Sequence, residues 1–540
     1  MSTKKVYKGR SWVTQPGEWE QEKHYYPRAL NAQLHPLVQS FMSLDKKRLA
    51  MRYCHLHPEA NQEKLLEVLS YKPAFFKWSG ADLFCVTNES ANRQMIVIET
   101  NSCPSGQKSM PVAGSTETES SKDTGYYRMI SETFGPLVKE KEADLPDGVF
   151  AVIFDKNPME ATGYAQCMSD YLGKSVFLIE FFKLDPNPPA KWTVDGVLLI
   201  RVKKSELQKH YPEKVALGQP CKDPEYAQDY VWVPVRAAFR YVTIAPWSRI
   251  PIVTKTLVLN PIISCLSGGR NKLVASKSYD FLNAELAEFG LNIRAPETIS
   301  DVSLTEIPLY LKAMGYVGVI KVPYSNAGQG VFTITSKAEL DEFMEWAKDT
   351  IYDQYIVQAL VGNSTWSSRS NNGTFYHVGT IPNTKYRIYV ADVRMMICAT
   401  EDGYRPLAIY ARRAAEPLAE TLDGSTASWN MLGTNLSIAK ADGTWDSDTG
   451  RLLLMDRKDF NKLGLSVDDL VDGFIQCVMA STAIDQMCKR LLKKDNFDKE
   501  LFSSLNKDPG FMSEVITLEA IKAAREAEEA ADADSVPKEA

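Results

Sequence analysis

The stretch that most constrains the fold is Val319–Phe332. An apolar, β-rich run ends on Lys321, a loop of small residues carries Gly328 and Gly330, and a second apolar run follows. This pattern predicts strand, turn and strand. Glycines let backbone N–H groups come close to an anion, and a neighbouring lysine adds the charge that phosphate contacts use. An ordinary hairpin with a surface lysine has the same pattern, so the flanking sequence must decide between the two.

At 540 residues the chain is too long for one small core and is expected to hold two or three packed regions. No apolar run reaches the ~18 residues of a membrane-spanning helix, and Met1-Ser2-Thr3-Lys4-Lys5 leads into polar sequence rather than the apolar core of a signal peptide. Nine cysteines without a CxxC pair point to reduced thiols. A net charge of -6 gives a nucleic-acid partner no support. The expectation is a cytoplasmic protein acting on small molecules, with no nucleic acid and no membrane, for which a homodimer stays open.

Read in order, residues 1 to about 25 suggest an arm lying over the body, and Pro27 to about Ser70 suggests helices, with Leu34, Leu37, Phe41 and Leu44 at helical spacing. The runs Ala81–Val86 and Gln94–Ser102 form a β-hairpin pattern. Glu99 and Asn101 share a strand face and, with Asp82 on the partner strand, can offer three oxygens to a hard cation. The small-residue loop after Ser102, with Ser105 and Gly106, suits an anionic or peptide-like substrate. Val149–Phe154, Met159–Leu172 and Val176–Phe181 predict a βαβ unit, and Trp192–Ile200 a tight hairpin. The polar segment from Lys203 to Tyr230 reads as an irregular insertion, before a strand that brings Arg236, Arg240 and Tyr241. Leu266–Lys272 is a lysine-bearing turn before a helix with Lys277, a glycine stop and a short strand ending at Pro296. Gln354–Gly362 is a strand running into an exposed hinge, residues 363–378 a loop, and two further strands carry Arg394, Arg412 and Arg413. Val467–Leu492 reads as a packed helix, and the acidic end after Ile516 as a solvated tail.

The order of lysine turn, Lys321 strand with its glycine loop, hinge, arginine-bearing strand pair and Trp429-Asn430-Met431-Leu432-Gly433-Thr434-Asn435 resembles an ATP-grasp domain. In most of that superfamily the metal-binding Glu-x-Asn lies near the C-terminal end of the domain, whereas Glu99-Thr100-Asn101 lies well before it. This circularly permuted order is similar to eukaryotic glutathione synthetases, over roughly residues 75 to 440. The resemblance implies an α/β (α+β) chain with an ATP-grasp fold, a βαβ substrate-side lobe and helical segments at both ends. Its divisions would be 1–145 (N-terminal helices and metal hairpin), 146–265 (substrate lobe), 266–510 (nucleotide region) and 511–540 (acidic tail).

The same resemblance implies ATP and Mg2+ as cofactors. Asp82, Glu99 and Asn101 would hold the metal; Lys272 or Lys277, with Lys321, Gly328 and Gly330, would meet phosphates; the backbone of Gln358, Ala359 and Leu360 would meet adenine. Ser102, Ser105, Arg240 and Tyr241 would contact substrate, and Arg394, Arg412 and Arg413 the reacting groups. Two departures stand out: Ser325 or Asn326 replaces a metal-binding Glu in the glycine loop, and Gly80 replaces a substrate-binding Arg. The implied activity is an ATP-dependent carboxylate-amine ligase working through an acyl phosphate on a small acid and a small amine. A small-molecule kinase and a non-catalytic nucleotide-binding scaffold are the alternatives.

Overall fold

A computed structural model describes residues 8–111, 120–243, 249–324, 330–350, 352–371, 373–439, 445–494 and 496–507. Gly328, Ser325, Asn326 and the acidic tail lie outside the described residues. The protein is mixed α/β and divides into two compact units: Met1–Trp19, Phe134–Ile262 and Lys507–Ala540 make one, Glu20–Thr133 and Ile263–Asn506 the other. Among the described residues no helix is long and apolar enough to cross a membrane.

The larger unit is built on a six-stranded antiparallel sheet. Trp78–Asn88 is flanked by Arg93–Ser102 on one side and by Ala391–Thr400 and Phe375–His377 on the other; Gly403–Arg413 and Leu452–Leu453 continue the sheet. Alternation along Trp78–Asn88 sends Leu83 and Cys85 to one face and Asp82 and Phe84 to the other. The long helix Val467–Leu491 covers the first face. Its start is fixed by a capping box between Ser466 and Asp469, and Gly473 lets the helix approach Leu83 closely. The expected loop at 363–378 in fact contains the strand Phe375–His377, because Tyr376 pairs with Thr87.

A second, four-stranded antiparallel sheet runs in the order Thr298–Val302, Tyr355–Gln358, Gly318–Lys321, Val331–Ile334. The Lys321 hairpin therefore forms as the sequence predicts. Ile320, Ile334, Phe343, Tyr355 and Val357 pack between this sheet and the helices Ile307–Ala313 and Lys337–Ala347. Each such side chain contributes about 1.5–3 kcal/mol over an exposed position. The strand expected before Pro296 is extended chain without a ladder; the strand itself begins at Thr298.

The smaller unit holds an eight-stranded sheet. Val149–Phe154 and Val176–Glu180 are parallel, joined by the helix Pro158–Leu172, as a βαβ unit requires. Tyr230–Tyr241 lies parallel to Val149–Phe154 and antiparallel to Leu198–Lys203. The expected N-terminal arm is instead an edge strand, Ser11–Thr14, antiparallel to Val176–Glu180, with the Trp12 ring edge-on to Phe154. The expected irregular insertion contains a helix, Lys204–His210.

Candidate functional site

In the larger unit the two sheets face a common slot. Asp82, Phe84, Glu99, Asn101, Asp392, Arg394 and Arg412 come to it from the six-stranded sheet, and Val319, Lys321, Val331, Thr333 and Gln358 from the four-stranded one. The slot encloses about 150 Å³. A second cavity of about 720 Å³ shares Ile98, Glu99, Pro296, Lys321 and Gln358 with it and is also lined by Lys272. Lys321 and Glu99 thus stand at the junction of two spaces.

A β-bulge decides how Glu99 gets there. Asp82 pairs with Glu99 but Leu83 pairs with Val97, so Ile98 is an extra residue in its strand. Regular alternation would send Ile98 and Glu99 to opposite faces; with the bulge both line the slot.

The floor of the slot is a buried network of opposite charges. Arg394 donates from Nε and Nη2 to the two Asp82 oxygens at 2.6 and 2.7 Å, and Arg412 Nη2 lies 2.9 Å from Asp82 Oδ2. Arg412 also donates to both oxygens of Asp392, from Nε at 3.0 Å and from Nη2. Burial alone would raise the Asp82 carboxyl, but the two guanidinium groups override it and hold it well below the usual range. Burial prevails at Asp392, whose carboxyl is pushed up despite its contact with Arg412.

Lys321 is 6% exposed, and its Nζ donates to the Ile98 carbonyl at 3.3 Å. Burial, only partly offset by nearby Glu99, pushes its ammonium down to about 8. Lys272 starts its helix with its backbone N–H on the Pro323 carbonyl (2.7 Å), which ties the lysine turn to the start of the glycine loop, and its Nζ lies 3.5 Å from Glu99. Gly330, at φ 71°, accepts from Val322 N–H at 2.9 Å and closes the loop's base.

The other end of the slot is apolar: Phe84, Ile98, Pro296, Leu360, Val361 and Leu432. Gln358, Ala359 and Leu360 line it but are buried, not an exposed hinge. The Ala359 N–H donates to the Glu297 carbonyl (2.8 Å) and that of Leu360 to Ser368 Oγ (2.7 Å). A flat ring entering here meets hydrophobic packing rather than these two donors.

Asp82, Glu99 and Asn101 share one face, yet as a magnesium set they do not fit. Both Asp82 oxygens are held by arginines, and Asn101 Oδ1 accepts from Arg270 Nη1 at 3.2 Å while its buried Nδ2 has no partner. Glu99 alone keeps a carboxylate open to the slot, and among the described residues no three His, Cys, Asp or Glu side chains cluster around a metal position.

Several expected residues lie elsewhere. Lys277 is bonded to Asp301 (2.6 Å) and the Leu505 carbonyl (2.8 Å), away from the slot's lining. Arg413 donates to the Ala414 carbonyl and stacks over Tyr389. Ser102 and Ser105 are off the lining, their carbonyls accepting from Arg270 and Arg394. Arg240 and Tyr241, in the smaller unit, are fully buried: Arg240 donates to the Asn260 and Val242 carbonyls at 2.7 Å, and Tyr241 to Glu160 at 2.6 Å. Neither lines the slot or the cavity next to it. Gly80 packs its Cα against Pro104, where any Cβ would collide, so the missing arginine has no room to return. Conversely Phe84, Asp392 and Ile98 were missed. The first two were readable as i+2 and i−2 neighbours of Asp82 and Arg394; the bulge at Ile98 left no mark in the sequence.

No protein-family model and no curated protein sequence matches the chain. It is similar in structure to a glutathione synthetase-like effector from Globodera pallida (10% identity, 70% of this chain and 83% of that one, TM-score 0.32). It is also similar to a RimK domain protein ATP-grasp from Sphaerobacter thermophilus (13%, 48% and 90%, 0.25) and to the D-alanine-D-alanine ligase from Coxiella burnetii (10%, 63% and 95%, 0.20). Likenesses this distant decide no chemistry, which has to come from the side chains.

Proposed function

We propose that the larger unit is an ATP-grasp catalytic unit, an ATP-dependent carboxylate-amine ligase. The observation that carries this is Lys321: a buried lysine with no carboxylate at ion-pairing distance among the described residues, placed between an apolar slot and a wider polar cavity. A purine fits the apolar end, and the phosphates then pass Lys321 toward Lys272. The order of segments expected of a permuted ATP-grasp chain supports the same reading.

The γ-phosphoryl group transfers to a substrate carboxylate oxygen, the bond to the β-phosphate oxygen breaks, and ADP leaves. The amine then attacks the acyl carbon, loses its proton and displaces phosphate to leave an amide. Such transfer needs positioning and fixed positive charge more than a protein nucleophile. Lys321 and Lys272 supply charge along the phosphates. Arg394 and Arg412, locked against Asp82 and Asp392, keep their guanidinium groups in fixed positions at the floor.

The test is ADP release over pools of acids and amines. Turnover that needs both an acid and an amine supports the ligase; turnover with a single acceptor makes it a kinase, and ATP binding without turnover a scaffold.

A further inference from the structure

A third cavity, of about 220 Å³, lies in the larger unit among Tyr25, Met42, Gln107, Met110, Asp123, Arg128 and Leu407. Leu407 is five residues along its strand from Arg412, roughly 17 Å of strand at ~3.4 Å per residue, so this is a different place from the nucleotide slot. Its volume is below the ~300–1,000 Å³ usual for drug-sized ligands and leaves no room for a nucleotide.

Three of its polar lining residues are charged or carry an unpaired donor. Gln107 is 1% exposed, yet its Nε2 has no hydrogen-bond partner. A buried amide donor left unpaired costs about 1–3 kcal/mol, which a ligand's acceptor would recover. The space that admits this carboxamide exists because residue 125 is glycine: a methyl group there would collide with it. Arg128, on the short helix Gly125–Met129, and Asp123, just before it, both line the cavity, and among the described residues neither side chain has an ion-pair partner. Of the other lining residues, Met42, Met110 and Leu407 are apolar and Gln39, Ser43 and Thr124 polar.

A guanidinium with a spare amide donor suits a carboxylate, a carboxylate suits an ammonium, and flexible Met walls suit an aliphatic side chain. We propose that this cavity binds a free, apolar α-amino acid as its zwitterion, with Arg128 and Gln107 on the carboxylate and Asp123 on the ammonium. The site stands apart from the nucleotide reading and does not depend on it.

Calorimetry on the full chain without ATP tests this, using L-methionine, its deaminated analogue 4-(methylthio)butanoate and its decarboxylated analogue 3-(methylthio)propylamine. Saturable binding of methionine, with both analogues weaker by ~10-fold or more, is expected. Arg128→Gln should weaken methionine and the acid analogue alike, while Asp123→Asn should weaken methionine and leave the acid analogue unchanged. Both variants change side chains that are not fully buried, so they should fold; a thermal melt checks this. Absence of methionine binding, or binding indifferent to both substitutions, overturns the proposal. So does loss of methionine binding in Lys321→Met, because the amino acid would then sit in the slot. None of these outcomes depends on whether ATP is turned over.

Discussion

Two sheets in this chain bury arginines beside strands, and they do so to different ends. Arg240 in the smaller unit is sealed, with its donors on the Asn260 and Val242 carbonyls. Arg394 and Arg412 in the larger unit are almost as deeply placed, but their partners are the Asp82 and Asp392 carboxylates and a cavity lies in front of them. The carbonyl acceptors tie Arg240 to its own surroundings, whereas the carboxylates hold Arg394 and Arg412 in place beside a cavity. The lysines divide in the same way. Lys277 is paired with Asp301, whereas Lys321 has among the described residues only the Ile98 carbonyl to donate to, and its ammonium, depressed by burial, stands at the junction of two cavities.

The sharpest way to break the contrast is at Asp82. Asp82→Asn leaves two buried guanidinium groups with one carboxylate, and the unit should lose about 3–5 kcal/mol of stability, read from chemical denaturation. Arg240→Met leaves two buried carbonyls without a donor, at about 1–3 kcal/mol each, and should leave nucleotide affinity unchanged. A change in nucleotide affinity on Arg240→Met would bring the smaller unit's arginine into the site and end the distinction.

The lysines give the next largest effect. Lys321→Met should weaken ATP binding ~10-fold or more by calorimetry, while Lys277→Met should leave it within error. Equal losses would mean that burial and pairing do not separate the two.

A smaller effect follows from pH. With its ammonium at about 8, Lys321 loses its proton in the folded protein while the unfolded chain, nearer 10.5, keeps it. Stability contributed by this group therefore rises between pH 8 and 10.5, because the unfolded state binds more protons there. ATP affinity should fall over the same upward passage through pH 8, and Lys321→Met should flatten that dependence. The smallest expected effect is magnesium alone: with Asp82 and Asn101 oxygens held by arginines, it should not raise the melting temperature without nucleotide. A clear rise would show that the arginines yield to the metal.

Much of this was legible in the sequence because it is carried by period-2 alternation and by glycine. The Lys321 hairpin, the paired strands bearing Asp82 and Glu99, the βαβ unit and the helix Val467–Leu491 all follow from local pattern. What stayed hidden depends on pairing across long separations. Asp82 lies opposite Arg394, 312 residues away, and no local rule says that this arginine will take the carboxylate a metal was expected to use. The pairing of Lys277 with Asp301 has the same cause: five residues past Lys272 the side chain meets a partner that only the fold supplies. The burial of Arg240 and Tyr241 was hidden too, because a strand buried on both faces carries polar residues into the interior without any change in its sequence texture.

The extra residue at Ile98 has one more consequence. Before it, odd-numbered positions of the strand belong to the helix side of the sheet; after it, they belong to the slot. The strand behaves as two reading frames spliced by a single amino acid, and the splice itself offers the carbonyl that receives Lys321 Nζ. Excising Ile98 would restore one continuous frame, with Glu99 still opposite Asp82, and would take away the backbone that tethers the lysine. The two functions of this strand, presenting a carboxylate and anchoring a cation from the other sheet, are thus separable at one codon.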